Sequence, residues 1–136
     1  MKKIYFYLFV ISSFTIQAVF SQGSNCASSD AFCAGGSSLT FQNSTSTTTE
    51  TGIDYECLGS QPNPAWFYMQ IGISGNISFQ ISQATNGGNP IDVDYIVWGP
   101  FATPSCGAAN LNPTTSVSCS FSAAAVENFT LPNAQV

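Results

Sequence analysis

The sequence has almost no positive charge. It contains no His and no Arg, and its only cationic side chains are Lys2 and Lys3. Binding to nucleic acid or to anionic lipid headgroups depends on Lys and Arg, so we expect neither partner. The absence of His excludes a His-based nucleophilic triad, and phosphoryl transfer would lack its cationic clamps. The composition therefore predicts a protein that is not an enzyme.

The first residues have the pattern of a secretory signal peptide. Lys2 and Lys3 precede an apolar stretch over 4–11, and Val19 and Ser21 fit the positions before a cleavage site. Ser and Thr interrupt the apolar run, whereas a membrane-spanning helix needs about 20 predominantly apolar residues. We predict a signal helix over 1–21 and one domain over 22–136, secreted or displayed on the cell surface without insertion into a membrane.

Cleavage after Ser21 would leave a purely acidic protein. Both lysines are lost with the signal peptide, so the formal net charge falls from −5 to −7. No salt bridge between side chains can then form. A partly buried carboxylate must instead rely on hydrogen bonds, protonation or a bound metal ion.

Five cysteines follow the predicted cleavage site, namely Cys26, Cys33, Cys57, Cys106 and Cys119. An exported chain meets conditions in which disulfides persist. Cys106 and Cys119 enclose a loop rich in small and polar residues, so we predict that they pair. For the second bond we favour Cys33–Cys57, although spacing alone does not fix connectivity. A zinc site is disfavoured because the chain has no His and no Cys-x-x-Cys spacing.

Short alternating segments separated by turn residues predict an all-β fold. The predicted strands are 39–42, 65–73, 77–82, 91–98, 117–121 and 126–131, with a hairpin joining 65–73 to 77–82 and a turn at 86–90. No sustained helical period occurs beyond residue 21. We therefore expect an antiparallel β-sandwich of jelly-roll or immunoglobulin-like type. Residues 132–136 lead onward, so we also expect that the sandwich lacks its last strand and that the chain is a fragment of a longer protein.

Asp92 and Asp94 form the most suggestive pair of polar residues. On a strand they would share one face, with Cα atoms about 6.5–7 Å apart. Such carboxylates serve glycoside hydrolysis in some proteins and bind Ca²⁺ in others. They also have structural roles, one capping a turn and the other accepting hydrogen bonds from backbone N–H groups. The structural interpretation is favoured, and Ca²⁺ is the ligand we would expect if the pair binds one.

Four aromatic residues, Trp66, Tyr68, Tyr95 and Trp98, lie on predicted strands. One hypothesis is that they form a surface on which sugar rings stack. The other is that they belong to the core, since Tyr and Trp are often buried with a polar tip reaching a partner. Spacing alone leaves both open, and the core is the more frequent outcome.

Several segments together resemble a known family. They are Asn25-Cys26, Phe32-Cys33, Tyr55-Glu56-Cys57-Leu58-Gly59-Ser60, Pro62-Asn63-Pro64-Ala65-Trp66-Phe67-Tyr68, Asp92-Val93-Asp94-Tyr95-Ile96-Val97-Trp98-Gly99-Pro100-Phe101, Val117-Ser118-Cys119-Ser120-Phe121-Ser122 and Leu131-Pro132-Asn133-Ala134. This order resembles the N-terminal domain of large secreted surface proteins of Bacteroidota, which commonly end in a gliding-motility-associated, type IX secretion sorting domain. The resemblance implies a β-sandwich similar to pre-peptidase C-terminal domains, with no catalytic residues to transfer. Relatives often carry a further cysteine near position 129, where this chain has Phe129.

The leading functional hypothesis is a non-catalytic β-sandwich module for adhesion in a larger surface protein, contacting surface glycans or proteins. One alternative is an accessory domain of a secreted hydrolase that binds carbohydrate or protein. A second alternative is a structural spacer stabilised by Ca²⁺.

Overall fold

The computed structural model describes residues 23–32, 38–42, 45 and 47–134. In chain order its elements are a 3₁₀ turn Cys26–Ser28, then β1 Asp30–Phe32, β2 Phe67–Met69, β3 Gly75–Ala84, β4 Pro90–Ile91, β5 Tyr95–Trp98, β6 Ser116–Ser120 and β7 Val126–Ala134. The described part contains strands and no α-helix, so the all-β prediction is confirmed. The predicted signal peptide lies outside the described residues. Within them, no helix has the length and apolar character needed to cross a membrane.

The longest pairing joins β3 to β7 in antiparallel register, from Ser78 opposite Thr130 to Ser82 opposite Val126. Alternate residues of β3 are half-buried and exposed, as the sequence pattern predicted. On the exposed face, the hydroxyls of Ser78 and Thr130 lie 2.9 Å apart in a hydrogen bond. Cross-strand side-chain pairs of this kind add roughly 0.2–1 kcal/mol each to the stability of a sheet.

The predicted turn at 86–90 is confirmed. It joins β3 to the short strand β4, which pairs antiparallel with the end of β3. The Thr85 N–H donates to the Asn89 carbonyl at 2.9 Å, and the Gly88 N–H donates to the Thr85 carbonyl at 2.8 Å. Gly88 has φ of +78°, a left-handed conformation that glycine adopts without steric cost.

The predicted hairpin between 65–73 and 77–82 is wrong. The strand in the first segment is only Phe67–Met69, and it pairs in parallel with β1 rather than with β3. The N-terminal segment occupies the place beside this strand that the hairpin partner would take. Next to β2, the Trp66 N–H donates to the Gly23 carbonyl at 2.9 Å. Ile73 is 87% exposed, which shows that the apolar alternation does not continue as a buried strand. The predicted strand over 39–42 also does not form.

The predicted strand 91–98 is divided into β4 and β5 by residues 92–94. β5 pairs antiparallel with β6, with Tyr95 opposite Ser120. The Tyr95 ring stacks on Phe129 of β7, with ring centroids 4.4 Å apart, and Phe129 also stacks on Phe79 at 4.8 Å. These rings connect the β5–β6 pair to the β3–β7 pair.

Two disulfides join distant parts of the chain, Cys26–Cys106 with a separation of 80 residues and Cys57–Cys119 with a separation of 62. The predicted pairs Cys106–Cys119 and Cys33–Cys57 are therefore wrong, although Cys33 itself lies outside the described residues. Cys119 lies within β6, whereas Cys106 lies in the loop between β5 and β6. That loop returns to the N-terminal segment, so the two cysteines find different partners.

Candidate binding site

Two of the four aromatic residues that could form either a sugar-stacking surface or part of the core lie in the core or against it. Trp66 is only 8% exposed, and its ring stacks on Trp98 with centroids 5.6 Å apart and planes 10° from parallel. Tyr55 meets both rings edge-on, at 6.2 and 5.9 Å. Leu111 and Cys26 complete the buried set. Each indole therefore covers one face of the other.

The other two aromatic residues lie on different strands, Tyr68 on β2 and Tyr95 on β5. Tyr68 is 37% exposed on β2. Tyr95 lies against Phe129, and its hydroxyl shares a hydrogen bond of 3.2 Å with the Ser118 hydroxyl. The packing of Trp66 against Trp98 fits the core hypothesis, and sugar binding by Trp66, Tyr68, Tyr95 and Trp98 stays a hypothesis. Local alternation could not reveal this packing, because it does not show which strands become neighbours.

The aromatic core also changes the acid–base behaviour of Tyr55. Burial raises the pKa of the Tyr55 hydroxyl, because the charged phenolate loses its contact with water. The backbone of Glu50 lowers this pKa to a lesser extent, and the negative charge of Glu50 raises it further. The Glu50 carboxylate also accepts a hydrogen bond of 2.8 Å from the Cys26 N–H. Glu50 therefore interacts both with Tyr55 and with Cys26, which forms the disulfide with Cys106.

Asp92 and Asp94 lie in the connection between β4 and β5 rather than on a strand. The Asp94 carboxylate accepts a hydrogen bond of 2.9 Å from the Ser122 N–H. Beside it, the Val93 N–H donates to the Ala124 carbonyl at 3.1 Å. Asp94 thus has the structural role that the sequence favoured for one of the pair, since it fixes the loop that follows β6.

Glu127 adds a third carboxylate to this region. Its Oε1 atom accepts a hydrogen bond of 3.0 Å from the Ser120 hydroxyl and another from the Ser122 hydroxyl. No group of three or more His, Cys, Asp or Glu within the described ranges is placed to hold a metal ion. Ca²⁺ binding by Asp92 and Asp94 stays a prediction.

A pocket of about 220 Å³ opens to solvent where the β4–β5 connection meets the loop after β6. It is lined by Asp92, Phe121, Ser122 and Ala123. Phe121 is 52% exposed, and its ring lies so close to Gly59 that a Cβ atom there would be only 3.1 Å away. Asp92 is exposed, and its side chain makes no hydrogen bond with any residue that the structure describes. The pocket therefore combines a held aromatic ring with an available carboxylate.

Sequence reasoning identified Asp92 as a candidate and missed Phe121. Phe121 was assigned to the end of a strand, whereas β6 ends at Ser120. A single aromatic residue between serines carries no pattern that separates a core position from a surface one. Only the placement of Gly59 and of the β4–β5 connection reveals its role.

Comparison with known proteins adds no relative to this description. No family model matches the chain, and neither a curated protein nor a solved structure shows significant similarity to it.

Proposed function

We propose that this protein is exported and acts as a non-catalytic binding module at the cell surface or in the surrounding medium. The observation that carries the proposal is the pair of disulfides, Cys26–Cys106 and Cys57–Cys119. Such bonds persist in oxidising compartments and are rare in a reducing cytosol. The predicted signal peptide over 1–21 gives the route to such a compartment. The resemblance to Bacteroidota surface proteins supports adhesion within a larger protein that carries a type IX sorting domain.

We further propose that the strands form a β-sandwich. Support comes from Phe129, whose ring lies between Phe79 of its own sheet and Tyr95 of the β5–β6 pair. A sandwich buries the inner faces of two sheets against each other in this way. The half-buried residues of β3, which alternate with exposed ones, would then form one inner face.

Binding is favoured over catalysis by the chemistry of the candidate site. The pocket holds one available carboxylate, Asp92, while Asp94 and Glu127 are occupied by hydrogen bonds. The chain contains no His and carries Lys only at positions 2 and 3. General acid–base work on a glycosidic bond usually needs two carboxylates placed on either side of the bond. An aromatic ring with a single carboxylate is better suited to holding a ligand.

Localisation and redox state test the proposal together. We expect the full chain to appear outside the cytoplasm, shortened after Ser21 and oxidised at Cys26, Cys57, Cys106 and Cys119. A matched variant lacking 1–21 should stay in the cytoplasm with free thiols. Protease treatment of intact cells, cell fractionation and mass spectrometry of alkylated protein measure these outcomes. Retention of the full chain in the cytoplasm with reduced cysteines would end the proposal.

Adhesion needs its own measurement. Exported protein fixed to a surface should retain cells or extracellular matrix under flow, and reduced protein should retain fewer. The same protein should show no hydrolytic activity on polysaccharide or protein substrates. Hydrolysis that survives repurification would instead support an enzyme.

A further inference from the structure

Ser122 lines the pocket, and both of its hydrogen-bond donors, the backbone N–H and the hydroxyl, are already used. The Ser122 backbone N–H donates to Asp94 at 2.9 Å, and the Ser122 hydroxyl donates to Glu127. The Asp92 carboxylate has no partner among the described residues and can only accept hydrogen bonds. A sugar hydroxyl can both donate and accept hydrogen bonds, and these side chains offer it an acceptor alone. A ligand that brings donors of its own fits better.

The charge around the pocket has one sign. Asp92 lines it, and Asp94 and Glu127 are each one hydrogen bond from Ser122. No Lys, Arg or His occurs anywhere in the sequence after Lys3. The negative potential of these carboxylates is therefore not balanced by any side chain of the same domain. A region of this kind attracts cations and repels acidic ligands.

The apolar part of the pocket sets the shape of the ligand. Phe121 keeps 52% of its surface exposed while its ring is held against Gly59. The face of an aromatic ring attracts an ammonium or guanidinium group, and the methylene stem of that group packs on apolar surface. The volume of about 220 Å³ is below the roughly 300–1,000 Å³ of pockets that enclose drug-sized molecules. It suits a single side chain presented by a larger partner.

We propose that this pocket binds the side chain of a lysine or arginine on a partner protein. The cationic group pairs with Asp92, and the aliphatic stem or the guanidinium plane lies on Phe121. The inference rests on the proposed function, because it names the chemistry of the partner that the exported module would hold. It also predicts that partners carry basic surfaces, whereas acidic polysaccharides are excluded.

The test uses small probes that isolate the side-chain chemistry. N-acetyl-lysine N-methylamide and its arginine counterpart are titrated into the oxidised protein, labelled with ¹⁵N, at low ionic strength. We expect shifts of amide resonances confined to residues near 92 and 121–123. Raising the salt to about 0.5 M shortens the Debye length to a few ångströms and should weaken the exposed ion pair severalfold. Comparing the two probes shows whether lysine or arginine is preferred.

Matched variants distinguish binding in the pocket from non-specific attraction of a cation to an acidic protein. Asp92→Asn should weaken binding of the lysine probe about threefold or more, within the range of exposed ion pairs and cation–π contacts. Asp54→Asn makes the same change in net charge at a residue that does not line the pocket, in a turn where Asp54 accepts a bond of 2.9 Å from the Glu56 N–H. It should leave the affinity unchanged. Phe121→Leu should weaken binding, whereas Phe121→Tyr retains the ring and should preserve it.

Three results would overturn the proposal. One is equal weakening by Asp92→Asn and Asp54→Asn, which indicates diffuse attraction. Another is equal binding of the neutral probe in which the lysine amine is acetylated. The third is a response of the same resonances to a neutral methyl glycoside rather than to the basic probes. These measurements do not depend on localisation, so failure here would leave the export proposal standing, and a cytoplasmic protein would be revealed by fractionation alone.

Discussion

At the scale of single residues, Trp66 and Tyr68 have opposite environments although they are two positions apart. Trp66 is 8% exposed and Tyr68 is 37% exposed. Alternation along a strand would place both on one face. Trp66, however, pairs with Gly23 in an isolated antiparallel bridge, whereas Tyr68 lies in β2 and pairs in parallel with β1. The two residues therefore have different neighbouring segments.

This difference predicts unequal effects on stability. Trp66→Ala removes the ring stacked on Trp98 and should lower the free energy of unfolding by about 3–5 kcal/mol. Tyr68→Ala should change it by about 0.5 kcal/mol or less, as is usual for exposed positions. Urea unfolding with the disulfides intact measures both. Equal losses in the two variants would mean that the Trp66–Trp98 stack does not hold the core.

Tyr55 gives the protein a predictable response to alkaline pH. Burial raises its pKa in the folded state, so the folded protein keeps the phenol proton where the unfolded chain has lost it. The corresponding stability is complete below the ordinary tyrosine pKa of about 10 and is lost as the pH rises through the raised value. Tyr55→Phe should therefore show a smaller fall in Tm between about pH 9 and pH 11. Tyr68→Phe, an exposed control, should keep the steeper fall of the unaltered protein.

At the scale of elements, the β3–β7 pairing has two faces with different chemistry. The exposed face carries polar pairs such as Ser78–Thr130, and the other carries the stacked rings of Phe79 and Phe129. Burial of apolar area is worth more than an exposed hydrogen bond, because water competes for the latter. The ring face should therefore dominate the stability of this pair.

Neighbouring substitutions on β7 test that ranking. Phe129→Ala removes contacts with both Phe79 and Tyr95 and should cost about 2–4 kcal/mol. Thr130→Ala removes one cross-strand hydrogen bond on the opposite face and should cost roughly 0.2–1 kcal/mol. Thermal unfolding of the oxidised proteins compares them. A larger loss for Thr130→Ala would contradict the assignment of faces.

The sequence predicted elements better than it predicted their neighbours. The turn at 86–90 and the alternation of 77–82 follow from local backbone preferences, and both are present. The pairing of β3 with β7 joins residues about fifty positions apart, as in the Ser78–Thr130 bond. No turn residue signals such a pairing, whereas the closeness of 65–73 in sequence favours a hairpin with that segment. The same preference for short separations favours the wrong disulfide partners.

At the scale of the whole molecule, the two disulfides carry much of the stability. The described buried core consists of only four residues, Cys26, Tyr55, Trp66 and Leu111. Loops of 80 and 62 residues are closed by the two bonds, and each closure is worth about 4 kcal/mol in a chain-entropy account. A domain of this size has a total stability of about 5–15 kcal/mol. Reduction should therefore unfold it or leave it close to unfolding.

Peptide mapping tests the connectivity. The chain has no tryptic site after Lys3, since it contains no other Lys and no Arg, so cleavage before Asp is the method of choice. Without reduction, we expect one linked species containing 22–29, 54–91 and 94–136, because Cys26 joins Cys106 and Cys57 joins Cys119. A link between 30–53 and 54–91, with 94–136 released alone, would instead support Cys33–Cys57 and Cys106–Cys119.

The order of the bonded cysteines along the chain has a mechanical consequence. Cys26, Cys57, Cys106 and Cys119 form two interleaved links, so tension between Cys26 and Cys119 passes through the Cys26–Cys106 bond. The covalent path is then about 13 residues and about 45 Å long, instead of roughly 90 residues and about 300 Å. β7 lies beyond Cys119 and outside both links. A pulling force would separate β7 from β3, while the segment between Cys26 and Cys119 stays short. The oxidised domain would then extend only by the length of β7 and the residues next to it.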